Sequence, residues 1–181
     1  MQFFFKTVEE IGMFRSTLPF CQCPACGMTG AMIRHGYTYW SISPTENGIR
    51  GWRIRCKPSN HHEGCGATWL LRLGDTLPRR CFSAKQLWAF IQTLLDARSL
   101  KQAWERSGLA CSLDTAYKIY RRLQRCQTVL RTHLCARGPP PRGKTGVPLF
   151  QVYAHLEKEF GNLSPITAYQ ISFQKDFLAV A

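Results

Sequence analysis

The chain has 181 residues, 45% of them hydrophobic, with 24 Lys and Arg against 11 Asp and Glu, a formal net charge of +13. That length supports two small cores better than one large catalytic domain, and so basic a chain is attracted to polyanions, of which the soluble ones are DNA and RNA. The carboxylates are scattered, so no cluster is available to hold the paired metals of phosphoryl transfer, and the chain is read as non-enzymatic with no catalytic residue.

Residues 1–20 read as an N-terminal extension. The apolar run Phe3-Phe4-Phe5 is soon interrupted by Lys6, Glu9 and Glu10, too early for a signal core or a membrane span, so no membrane partner is expected. Nine cysteines, an odd number with four at metal-ligand spacing, argue against a disulfide scaffold and for the reducing cytoplasm, with nucleoid association when DNA is bound. Cys81, Cys111, Cys126 and Cys135 then read as mostly buried small thiols, and Cys21 competes with Cys23 for a ligand role.

Residues 21–80 read as a zinc ribbon. Cys23-Pro-Ala-Cys26-Gly27 opens it and Cys56 with Cys65-Gly66 closes it, two pairs of thiolates suited to one tetrahedral Zn2+. A glycine after each second cysteine frees backbone N–H donors to face the sulfurs. The insertion between Cys56 and Cys65 carries His61 and His62, either of which can replace a cysteine. Between the pairs, 31–42 and 48–56 are rich in aromatic and β-branched residues and meet at Asn47-Gly48, a hairpin signal, and 67–73 adds a third strand. Arg34, Arg50, Arg53, Arg55 and Lys57 interleave there with Tyr37, Tyr39, Trp40 and Trp52. That surface suits phosphate contact and base stacking, or is merely a small core with a solvated cationic face.

Residues 81–137 turn helical. Ser83 with Gln86 predicts a capping box ahead of Leu87, Phe90, Ile91, Leu94 and Leu95 on one face. Ser99 starts a short helix ending at Gly108, and Ser112 caps a long one with Leu113, Ala116, Tyr120, Leu123, Leu130 and Leu134 on its apolar face. The pair has helix-turn-helix grammar, one or two residues looser than usual, with a plain helical bundle as the alternative. Ser112 leaves backbone N–H groups for a phosphate, Asp114, Thr115 and Lys118 are placed to read base edges, and Arg121, Arg122 and Arg125 to meet backbone phosphates. Lys101 and Arg106 can do the same from the preceding helix, and Arg53 and Arg55 from the ribbon.

A Pro- and Gly-rich linker, 138–148, precedes a helical tail, 149–181, with helices expected at 149–160 and 165–178, the latter a core helix or a dimer face. Gly138-Pro-Pro-Pro-Arg-Gly-Lys144-Thr145 matches the P-loop pattern, but its prolines remove the N–H donors that cradle phosphates, it follows a helix, and Gly146-Val-Pro148 cannot continue as the required helix; no nucleotide is expected there. His61-His62-Glu63 beside a cysteine pair matches half of the pattern of zinc-supported HNH nucleases, whose downstream Asn and His are missing.

Taken together, Cys23-Pro-Ala-Cys26-Gly27, Arg34-His-Gly36, Arg53-Ile-Arg-Cys56 and Cys65-Gly-Ala-Thr-Trp69, followed by a helix-turn-helix, resemble the zinc-ribbon and helix-turn-helix proteins of bacterial transposable elements over about residues 20–135. The resemblance implies an α+β chain, a β ribbon followed by a helical DNA-binding domain and tail. It implies binding to double-stranded DNA at element ends or a target, alone or beside a transposase or recombinase of the same element. Two other functions fit the residues: an adaptor bridging a recombinase or host factor, and single-strand or RNA binding through the aromatic ribbon.

Overall fold

The computed structural model describes residues 2–39, 48–58, 64–142, 147–161 and 164–179. The chain is α+β and divides into two compact units, Met1–Leu73 and Gly74–Ala181. No helix among the described residues is long and apolar enough to cross a membrane.

In the first unit, strand β1 (Gln2–Phe5), helix α1 (Val8–Thr17) and a 3-10 turn (Leu18–Phe20) precede strands β2 (Met32–Tyr39), β3 (Ile49–Cys56) and β4 (Thr68–Leu73). The sheet runs β1-β4-β3-β2 and is mixed, β1 lying parallel to β4 and the other neighbours antiparallel. Successive side chains on a strand point to opposite faces, so Trp52, Ile54 and Cys56 of β3 are buried while Arg53 is exposed. The register sets Trp52 opposite Leu71 and Ile54 opposite Trp69, which places these apolar groups in one core with Ile11 and Leu18. The expected hairpin between β2 and β3 forms, with a register shift between Arg34 and Gly36; its Ser43–Asn47 turn and Trp40 lie outside the described residues.

Residues 1–20 are no appendage. Phe3 and Phe5 of β1 approach the Phe14 ring of α1 at 6.1 and 5.4 Å between centroids, and Ile11 of α1 is buried. Thr7 caps α1 by accepting from the Glu10 N–H, while the Glu10 carboxylate accepts from the Lys6 N–H at 2.7 Å. The polar residues that cut the apolar run short are therefore the start signal of a helix.

The second unit holds α2 (Ala84–Asp96), α3 (Leu100–Ser107), α4 (Leu113–Cys135), α5 (Pro148–Phe160) and α6 (Pro165–Phe173). The capping box at Ser83 and Gln86 is formed, Ser99 and Ser112 cap α3 and α4, and Gly108 ends α3 in the left-handed region at φ 62°. The buried stripe of α4 is Ala116, Ile119, Leu123, Cys126, Leu130 and Leu134, whereas Tyr120 and Leu113 are half-buried; on α2 the expected core residue Leu95 is exposed.

The tail shares this core through Tyr153, Leu156, Tyr169 and Phe177. The expected helix over 165–178 stops at Phe173 because Gln174 takes a left-handed φ of 52°, and the chain turns back to bury Phe177 and Leu178. The fully buried Gln170 explains why the turn holds. Its amide donates to the carbonyls of Gly74 at 2.7 Å and Thr76 at 3.1 Å, and its oxygen accepts from the Phe177 N–H at 3.1 Å. The linker expected at 138–148 ends at Pro148, the first residue of α5. A helix does begin there, since proline's missing N–H costs nothing at that position; Gly143–Thr145 of the P-loop match lies outside the described residues.

Candidate metal centre and basic helical face

Cys23, Cys26, Cys56 and Cys65 converge, with their four sulfurs within 4.8 Å of one another. Two of the edges are 3.6 Å for Cys23 to Cys65 and 3.8 Å for Cys26 to Cys56. A tetrahedral ion bonded to sulfur at ~2.3 Å has sulfur edges of about 3.8 Å, so the cluster fits one metal ion held by four thiolates. Cys23 and Cys56 are buried and Cys26 and Cys65 exposed, so each pair contributes one anchored and one accessible sulfur. Cys21 stands apart, its sulfur 3.6 Å from the Thr17 hydroxyl, and takes no place in the cluster. His61 and His62 lie outside the described residues.

The two half-sites share one backbone plan. The Cys23 N–H donates to the Met28 carbonyl at 2.9 Å and the Gly27 N–H to the Cys23 carbonyl at 2.8 Å. In the second half the Cys56 N–H donates to Ala67 and the Gly66 N–H to Cys56, both at 2.9 Å. Gly27 and Gly66 have φ 72° and 76°, a region where a Cβ is strained, which is why glycine follows each second cysteine. The same frame therefore aims the sulfurs in both halves, although Cys56 and Cys65 stand nine positions apart in sequence and Cys23 and Cys26 three.

Proton affinities follow from the same geometry. The Met28 N–H, with the Cys23 thiol beside it, holds Cys26 down at about 6. Burial pushes Cys56 up to about 12 despite the opposing Cys65 N–H. Without a cation, four thiolates so close together cannot all ionise; a bound ion supplies the compensating charge and releases the protons.

The expected nucleic-acid residues fall into several groups. Lys118 and Asp114 pair at 2.6 Å and Lys101 pairs with Glu105 at 3.9 Å, all four strongly exposed. Such surface pairs contribute at most about 1 kcal/mol, so opening them for a ligand costs little. Arg121, Arg125 and Arg106 are exposed. Arg122 is half-buried and its Nε donates to the Leu178 carbonyl, which ties α4 to the turn at Phe177–Leu178 and leaves its terminal nitrogens as the groups for a phosphate. Ser112 spends its hydroxyl on the Thr115 N–H at 3.3 Å and approaches the Thr115 hydroxyl at 3.0 Å, and Thr115 is half-buried. Arg53 is exposed on β3 and Arg55 half-buried. Tyr37 and Tyr39 are exposed, while Trp52 belongs to the first unit's core and offers no stacking face.

The turn between α3 and α4 is fixed from within. The Trp104 indole donates to the Cys111 carbonyl at 2.8 Å, the Leu109 N–H donates to the Ser107 hydroxyl at 3.3 Å, and Leu109 is buried. Behind it Ala103 and Ala116 are fully buried, small enough for two helix backbones to approach closely. No family model, curated protein or solved structure matches the chain.

Proposed function

We propose that this is a zinc-dependent DNA-binding accessory or regulatory protein of a mobile genetic element, which binds element ends or target DNA without catalysing strand transfer. In this reading the first unit is a zinc ribbon and α2 to α4 a helix-turn-helix module, with α4 entering the major groove. The observation that carries it is the division of α4: one stripe is buried from Ala116 to Leu134, while Asp114, Lys118, Arg121 and Arg125 stand on solvent behind a Ser112-capped start. A rigid turn ahead of that face is what positions a recognition helix. Four cysteine sulfurs, with no histidine or carboxylate joining them among the described residues, favour zinc in a structural role. The element context rests on the sequence resemblance alone.

Titrating labelled duplex DNA at several salt concentrations, with and without chelator, tests the proposal. If six phosphates are neutralised, log affinity falls against log salt with a slope of about −5. Arg121→Ala with Arg125→Ala flattens that slope by about 2. A slope near zero in the parent protein defeats the DNA-binding function.

A further inference from the structure

The second unit carries a cleft of about 450 Å³ where the end of α2 and the start of α3 face the middle of α4. Arg98 and Arg121 stand on its walls, with Tyr117, Tyr120, Phe150 and the Gln124 amide between them, and no Asp or Glu contributes to the lining. Nearby acids are engaged or placed elsewhere, Asp114 with Lys118 and Asp96 on the wall of a different depression. Arg98 and Arg121 are both exposed, and neither has an ion pair among the described residues.

Two cations without a counter-charge, set against three aromatic rings, define the ligand's chemistry. It is an anion that also carries a flat ring, because an inorganic oxyanion would leave the aromatic walls and most of the volume unused. Arginine and tyrosine together are the usual means of gripping an unstacked base and its phosphate. The Gln124 amide adds a donor and an acceptor for a base edge.

We propose that this cleft takes one unpaired nucleotide of a DNA strand, its base against the Tyr117 and Tyr120 rings and its phosphate between Arg98 and Arg121. The site rests on the DNA-binding function above and narrows it: the preferred DNA is a junction where duplex gives way to single strand. None of the residues that line it belongs to the aromatic hairpin or to the P-loop-like segment.

The test compares the full chain's affinity for a blunt duplex and for the same duplex with a three-nucleotide single-stranded end. The overhang binds about tenfold tighter, the gain expected of one stacked base. Arg98→Gln and Tyr117→Ala each abolish that difference and leave blunt-duplex affinity within about twofold, since both are exposed and neither is among the residues assigned above to duplex contact. Equal affinity for the two DNAs overturns the cleft and leaves duplex binding standing. Loss of all duplex binding defeats the broader function instead. A hexathymidylate strand then judges the cleft alone: chemical-shift changes at Tyr117 that Arg98→Gln removes support it, and none overturns it. Thymidine monophosphate binding as tightly as the strand overturns the assignment to a polymer and points to a free nucleotide.

Discussion

Cys26 and Cys21 lie five residues apart and have opposite fates. Cys26 meets three other sulfurs across the ends of two strands, whereas Cys21 reaches only the Thr17 hydroxyl. Metal binding in small thiolate sites is worth about 10–16 kcal/mol, as much as the whole stability of a typical domain, so one lost ligand decides whether the first unit folds. Cys26→Ser should therefore abolish stoichiometric metal and remove the first unit's melting transition, while Cys21→Ser changes neither, as elemental analysis and calorimetry would show. If Cys26→Ser keeps one metal per chain, the four-thiolate site is wrong. The pair Cys23 and Cys26 was legible because it is local, two residues between and a glycine after, and Cys65 because Gly66 repeats that signal; Cys56, nine positions earlier, was read from its place at the end of a strand. The bond from Arg122 to the Leu178 carbonyl was not legible, because its partner lies 56 residues along the chain and no pattern around residue 122 announces it.

Helices and strands that carry their own start and stop signals were also legible. The serine caps of α2, α3 and α4 and the glycine ending α3 fall where the side chains require them. Strand β1 was not, because its pairing with β4 joins residues almost seventy positions apart and a four-residue strand with three consecutive phenylalanines has no period of its own. The latch between α4 and α6 is likewise long-range. His133 Nδ1 lies 2.6 Å from the Tyr169 hydroxyl, its ring stacks on Phe173 at 5.1 Å, and the Lys175 ammonium sits 3.1 Å from Nε2.

Burial, reinforced by the Lys175 charge, lowers the His133 pKa from the ordinary 6.5, and burial lowers His155 in the same unit. As pH falls below 6.5, the unfolded chain takes up protons that the folded one refuses, so stability present above that value is lost as pH drops through the folded values. The second unit's melting temperature should therefore decline from pH 7 to pH 5, and His133→Gln should shrink the decline. A melting curve independent of pH, or steeper in the variant, refutes this account.

At the scale of the molecule, two separate apolar clusters match the two units, one under the sheet and one among the helices. The metal site belongs wholly to the first, and all of α2 to α6 to the second. A strong chelator should collapse the first unit, remove its tryptophan fluorescence signature from Trp52 and Trp69, and leave the helical circular dichroism of the second in place. Limited proteolysis should then yield a resistant fragment beginning near Gly74. Simultaneous loss of both signals would show one cooperative fold. The binary pattern foretold a β part and a helical part. It could not foretell that α5, α6 and Phe177 join the helical core, since Leu149, Tyr153 and Leu156 show only that α5 has an apolar side and say nothing of what covers it.

The clasp that Gln170 makes on Gly74 and Thr76 sets an order of events during synthesis. The cysteine module can close around a metal ion as soon as residue 73 clears the ribosome, whereas the helical body waits for Gln170, almost a hundred residues later, before its opening segment is secured. Until then the Gly74 and Thr76 carbonyls lack the side-chain amide that secures them, so any hand-off to a chaperone belongs to the interval between the two closures.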